Sequence, residues 1–336
     1  MGTINAGSNA IARVSNTYAG YTIFEDCHLC SGAGVITSVS FYFTGNGTGL
    51  KAATFYSSGS YFSTRDYETL GNVTGGQTST FTGLSIEAAS GDRIGAFVNT
   101  DNINYTYPGT AGGEWHQGGD LIPCVNQGFG YNITWVDFSI YATGVTLPDA
   151  PTNVAATENN STKVVVTWTK SADASGYRVY RDGVDISGLL EDVATFDDTT
   201  AAAPVITAGA AVASDGTSSA HVALSLSGSS IANGTSYNYT VKAVNAAGLS
   251  AASSANAGYR LASSLTYQWQ RSAADSDASF SNISGATTAS YNDTGAPADG
   301  SGRYFKCVLD ATGSTQATST ANRGYRKSFI PRIIFM

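Results

Sequence analysis

What this chain lacks most is charge. Charged residues make up 12% of it, against about a quarter in an ordinary soluble domain, and Gly, Ser, Thr, Asn and Tyr take their place. The 17 lysines and arginines form no cluster before the extreme C-terminus, and the formal net charge is -8. A surface without a basic stripe has no grip on a phosphate backbone, so nucleic acid is excluded as a partner. Histidine is nearly absent as well, with 3 residues in 336, which leaves little material for general acid–base chemistry. No apolar run approaches the roughly 20 residues of a spanning helix, so no membrane partner is expected. The opening "MGTINAGSNAIARVSN" has no basic start followed by an apolar stretch. It reads as a chain made in the cytoplasm without a cleaved signal peptide.

Helical patterning is missing too. No long stretch places apolar residues at i, i+3, i+4 and i+7, whereas short alternating runs bounded by Gly, Asn and Asp recur throughout. "VITSVSFYF" (35–43), "KVVVTW" (163–168), "YRVYRDG" (177–183), "YNYTVKAV" (237–244) and "LTYQWQ" (265–270) are examples. The fold class is therefore all-β, as sandwiches. With 42% hydrophobic residues the chain can bury several cores. Breaks at "GVTLPDAPTNV" (144–154) and "AGYRLASS" (257–264) divide it into three tandem modules, 1–147, 148–260 and 261–336.

In the middle module "VVVTWTKS", "GYRVYRDG" and "NGTSYNYTVKAVNAAGLSAAS" resemble a fibronectin type III domain. Alternation then turns Val164, Val166 and Trp168 inward against Tyr177, Val179, Tyr239 and Val241. Between "ATFDDTT" and "NGTSYNY" lies a surplus stretch with its own strand candidate, "HVALSLSG" (221–228), expected as an insertion in this module. In the last module "LTYQWQRS" and "ADGSGRYFKCVLD" resemble an immunoglobulin-like domain, which implies a buried Trp269. No cysteine precedes Trp269 within that module, so the sheet-to-sheet disulfide of such domains is not expected. The core is expected to rest on Trp269, Tyr291, Phe305 and Val308, with Cys307 as a small buried hydrophobe. In the first module "GLSIEAASGD" and "SGDRIGAFV" resemble the corners of jelly-roll-like modules in viral fibres. The combination, and the string "SLTYQWQRSAADSDASFSNISGATTASYNDTGAPADGSGRYFKCVL" in particular, resembles virion structural proteins of tailed bacteriophages. That resemblance implies a non-enzymatic, self-associating structural or decoration protein of a capsid or tail, partnered by other virion proteins. A carbohydrate-binding adhesin that meets host-surface glycans, and a self-assembling extracellular filament subunit, are the alternatives.

Chemistry has one visible opening, "FEDCHLC" (24–30). Cys27, Cys30, Cys124 and either His28 or His116 supply ligand types for zinc, but the second half-site is dispersed. A disulfide of Cys27 or Cys30 with Cys124, or plain packed thiols, are the other readings. No G-x-S-x-G elbow surrounds a serine; Glu25, Asp26, Glu87, Asp92, Glu114 and Asp120 offer carboxylates without a visible pairing. Neither an enzyme nor a cofactor is expected. The acidic turns 196–198 and 275–277 lack a calcium-loop pattern. The loop "NINYTYPGTAGGEWHQGGD" (102–120) is the binding candidate. Its Tyr105, Tyr107, Trp115 and His116 combine aromatic faces for sugar stacking with polar neighbours. In the C-terminal "RKSFIPRIIFM", Phe329, Ile330, Ile333, Ile334 and Phe335 are expected to dock on this subunit or the next, as an assembly element.

Overall fold

The structure, a computed structural model, describes residues 2–16, 19–110 and 112–328. Phe329, Ile330, Ile333, Ile334 and Phe335, the expected assembly residues, lie outside them. All the regular elements are strands, and the described residues contain no helix.

The first module is built on eight principal strands: Thr3–Gly7, Tyr21–Glu25, Gly34–Phe43, Gly47–Ser58, Tyr61–Val73, Gln77–Ala88, Arg93–Phe97 and Ile140–Thr146. Numbered in that order they run 1-8-3-6 in one sheet and 5-4-7-2 in the other, the arrangement of a jelly roll. Alternation explains the core. In Gly34–Phe43 the side chains of Ile36, Val39, Phe41 and Phe43 are buried, and a register shift between Ile36 and Ser38 re-phases the alternation between the first and the rest. They meet Ile4, Leu50, Ile86, Ile94 and Phe138 between the sheets. The other face of the second sheet has its own aromatic core, Phe24, Phe55, Phe62 and Phe97, which Ile122 and Phe129 close over. The 98–139 segment between the last two principal strands thus folds back onto the sheet that precedes it.

The middle module sets Thr152–Ala156, Val164–Thr169 and Thr195–Asp198 against a sheet centred on Gly176–Arg181 and Tyr237–Asn245. Val164, Val166, Trp168, Tyr177, Val179, Tyr239 and Val241 form its core, on the faces that the alternation assigns.

The surplus stretch lies elsewhere than in the middle module. Val222–Ser227 pairs with Ala210–Ala213 on one side and with Ser290–Asp293 on the other. Ala211, Ala213, Val222 and Leu224 enter the cluster of Trp269, Phe305, Cys307 and Leu309. Residues 205–232 therefore complete the last module, and the two modules are interleaved along the chain. The physical reason is coverage. The stretch after residue 260 supplies one sheet, around Thr266–Ser272 and Arg303–Asp310, but only Ser290–Asp293 for the facing one. Without the earlier strands, one side of Trp269 would face water. Phe305, Cys307 and Leu309 point inward and Val308 is half-exposed, so Leu309 takes the core place expected for Val308.

Contacts join the modules. The Asn245 side-chain amide donates to the Thr146 carbonyl at 2.8 Å, and the Gly2 nitrogen donates to Asp173 at 3.0 Å. At the next junction the Arg260 guanidinium donates to the carbonyls of Ser161, Ala201 and Gly313 at 3.0, 3.1 and 2.7 Å.

Candidate binding and metal-ligating site

The four residues expected to form one stacking platform do not come together. Tyr105 packs against the inter-sheet core and contacts Phe138. Trp115 lies on Phe62 and Tyr131 over the outer aromatic core. His116, next along the strand Gly113–Gly118, points to the opposite face, opposite Ile23, with its Nδ1 3.1 Å from the Glu114 carboxylate. Burial pushes the Glu114 carboxyl up, against the pull of His116. Only Tyr107 is open, 56% exposed. Its exposed neighbour is one the sequence did not single out. Trp135, also 56% exposed, holds a left-handed backbone at φ 67°, and its segment is tied to the Tyr107 loop by backbone bonds to Gly109 and Gly112 and by the pairing of Asp137 with Thr106.

Cys27, Cys30, Cys124 and His116, the candidate zinc ligands set against an expectation of no metal, do not assemble either. Cys30 is buried in the inter-sheet core, while Cys124 packs at the outer aromatic core beside Thr64. All four cysteines are free thiols, so the disulfide to Cys124 is not formed. Burial, with Asp92 nearby, pushes the Cys30 thiol up to about 12, and burial pushes Cys307 up to about 11; both are inert hydrophobes. Three of the carboxylates considered for hydrolysis are taken up in separate ion pairs, Asp26 with Arg93, Asp92 with Arg65 and Asp120 with Lys51. The acidic turns are likewise paired, through Asp197 to Lys163, Asp198 to Arg181 and Asp275 to Arg323.

A different constellation is present at the Tyr107 and Trp135 end of the first module. The strand Tyr21–Glu25 delivers Glu25, the bend after it delivers Cys27 and His28, and the short strand Asp137–Phe138 delivers Asp137. One ligand atom from each lies within 4.8 Å of all the others. Among the described residues no other group of three or more His, Cys, Asp or Glu side chains converges in this way. His28 Nδ1 is 3.0 Å from Glu25 Oε1, 3.1 Å from Cys27 Sγ and 2.9 Å from Ser8 Oγ. Glu25 is almost wholly buried and accepts from Ser8 Oγ and, at 2.9 Å, from the Phe138 N–H. Asp137 accepts from the Thr110 N–H and hydroxyl, with Arg13 at 4.0 Å. Gly112 lets its loop lie against Cys27, since a Cβ there would collide with the Cys27 side chain and its φ is +75°. The Glu25 hydrogen bond holds the His28 ring above its ordinary range, and burial, with Glu25 and Asp137 nearby, pushes the Cys27 thiol up to about 12. A thiol so held is a poor nucleophile. The ring also offers the same nitrogen to cysteine and carboxylate, whereas a relay needs one partner on each nitrogen.

Comparison with known proteins places one module. Residues 149–257 match the model of the fibronectin type III domain, and the middle module is such a domain. The matched span encloses the 205–232 stretch that folds with its neighbour. Among curated proteins the amylopullulanase of Thermoanaerobacterium saccharolyticum is 43% identical over 61 residues, 16% of this chain and 5% of that protein. The matched part is thus a small fraction of the relative. Among solved structures the FN1–FN3 domains of chicken CNTN1 align over 89% of this chain and 98% of that one, at 11% identity and a TM-score of 0.23.

Proposed function

We propose that this protein is a non-enzymatic structural protein of an assembled particle, which self-associates and displays β-sandwich modules. A tailed-phage capsid or tail is the setting that its sequence resemblance favours, and host-cytoplasmic synthesis followed by incorporation into the particle is the route. The observation that carries this reading is the interleaving of the middle and last modules. Three chain crossings near residues 204, 233 and 260, locked by Arg260, resist the hinge motion that is the default for domains joined by one linker. A stiff, hydroxyl-rich, charge-poor chain suits display better than turnover. The candidate side chains support the same reading, because burial pushes the Cys27 thiol up and Asp26, Asp92 and Asp120 are each taken by a separate basic partner. The test is light scattering with negative-stain imaging of the full chain and of a variant ending at residue 328. Rings, trimers or filaments from the full chain alone are the expected result. Compact monomers from both sink the self-association.

A second reading, a carbohydrate-binding adhesin, is favoured by Tyr107 and Trp135. Both rings are open to solvent on neighbouring loops, and Trp135 keeps a strained backbone. A bulky residue at positive φ is an outlier of the kind that marks functional sites. Exposed aromatic faces are what sugar rings stack on. Binding on a glycan array that is abolished by Tyr107→Ala and by Trp135→Ala, with folding unchanged, is the expected outcome. An array without a single ligand removes this reading.

A further inference from the structure

We infer that Glu25, Cys27, His28 and Asp137 form a tetrahedral binding site for a zinc-type divalent cation, on the loop end of the jelly-roll module. The donor set is one thiol, one imidazole and two carboxylates, brought together from two parts of the chain separated by more than a hundred residues. Zinc takes sulfur at about 2.3 Å and nitrogen or oxygen at about 2.0–2.2 Å, which puts tetrahedral ligand atoms about 3.5 Å apart. The separations of 3.0 and 3.1 Å around His28 Nδ1, with none in the group above 4.8 Å, reach that geometry by small side-chain rotations.

Three further features fit a cation at this point. First, the Glu25, Cys27 and Ser8 side chains all crowd one ring nitrogen, which can serve only one hydrogen bond; a metal ion at their centre would satisfy the ring nitrogen, the carboxylate and the thiolate together. Second, the ligands have the outer hydrogen bonds that orient first ligands in metal sites. Ser8 and the Phe138 N–H hold Glu25, and Thr110 holds Asp137 through both its oxygens. Third, the charges close. A thiolate, two carboxylates and a neutral imidazole sum to three negative charges, against a divalent cation and the Arg13 guanidinium behind Asp137. A groove lined by Ser8, Arg13, His28 and Asp137 opens onto the cluster and gives an ion its access. Sulfur and imidazole select zinc-like ions over calcium or magnesium, which favour oxygen donors. The strands that carry Glu25 and Asp137 are already in place, so such an ion would clamp the bend 26–28 to the Asp137 segment and stiffen the end that carries Tyr107 and Trp135.

The experiment is titration of the reduced, metal-free full chain with Co2+ as a spectroscopic stand-in, followed by displacement with Zn2+. A single tight equivalent is expected, with a sulfur-to-cobalt charge-transfer band and intense tetrahedral d–d bands, both erased by Zn2+ and neither produced by Ca2+. Cys27→Ser should lose the charge-transfer band, whereas Cys30→Ser and Cys124→Ser keep it. Ser8→Ala, which leaves all four ligands in place, should weaken Co2+ by about 10–100-fold. His28→Ala is the second ligand variant if Cys27→Ser does not fold, because its side chain is 40% exposed; it should lose the d–d intensity. Absence of the bands in the intact chain overturns the site, as does their persistence in Cys27→Ser or His28→Ala.

Discussion

Tyr239, in the strand Tyr237–Asn245, is fully buried, and its hydroxyl donates to Asp198 Oδ2 at 2.9 Å. The same carboxylate takes Arg181 at 2.8 Å and the Thr200 hydroxyl at 2.7 Å. Burial alone would raise the Asp198 carboxyl, but the hydrogen bonds from Thr200 and Tyr239 and the Arg181 charge outweigh it and hold it below the usual carboxylate range. A carboxyl depressed in the folded state contributes stability above its unfolded value of about 3.8. That contribution is lost as pH falls through the folded value. The gap in urea midpoint between the natural chain and Asp198→Asn is therefore expected to be full near neutrality and to shrink as pH drops below 3.8. Tyr239→Phe removes one hydrogen bond to a buried charge while keeping the ring, and should cost about 2 kcal/mol. The check is denaturation monitored at a signal from the middle module.

At the level of elements, the strand Val222–Ser227 decides the last module. It lies between Ala210–Ala213 and Ser290–Asp293 and puts Val222 and Leu224 onto the Trp269 cluster. Leu224→Ala leaves a cavity there and should cost about 2–5 kcal/mol. Its effect is expected in a module other than the one whose strands flank it in sequence. Hydrogen exchange read by mass spectrometry should rise across 266–272 and 303–310, with much less change across 164–169. The opposite pattern would mean that 205–232 belongs to the middle module. In the first module the comparable element is the 119–130 stretch, whose Ile122 and Phe129 cover Phe24, Phe55 and Phe62. It converts what would be an open aromatic face into a second core.

The whole molecule is joined more tightly at one junction than at the other. Between the first and middle modules the chain passes once, and the described bonds include Asn245 to Thr146 and Gly2 to Asp173. Between the middle and last modules it passes three times, and Arg260 ties the Ser161 and Ala201 carbonyls of the middle module to the Gly313 carbonyl of the last. Domains interleaved along the chain in this way should unfold together. Calorimetry is expected to show the middle and last modules melting in a single transition. Arg260→Ala leaves three part-buried carbonyls without this partner and should destabilise that unit by about 1–3 kcal/mol, or split the transition in two. Independent melting of the two modules in the natural chain would contradict the coupling.

Local pattern was enough for much of this. Alternation along 164–168, 177–179 and 237–243 is a property of consecutive residues, so the faces of Trp168, Tyr177 and Tyr239 could be read directly, and the scarcity of helical periodicity settled the all-β class. The strings around Trp269 and Cys307 likewise marked their burial, although Val308 and Leu309 differ only by which side of the strand they occupy. Cys27 and His28 stood out because they are adjacent in sequence. Glu25 was visible beside them, but Asp137 joins the cluster only through the pairing of short strands far apart in the chain, and Cys30 and Cys124 leave it because the loops that carry them pack into two different cores. Trp135 carried no signal, since its exposure follows from a left-handed turn set by its neighbours. The interleaved modules were hidden for the same reason: residues 205–232 are a competent strand pair by composition, and only the uncovered face of Trp269 assigns them a sheet. The amino-acid sequence by itself determined the strands and their inward faces, which depend on near neighbours. Tertiary structure alone decided which strands share a sheet and which side chains share a site, because those contacts are non-local and are selected by the burial they complete.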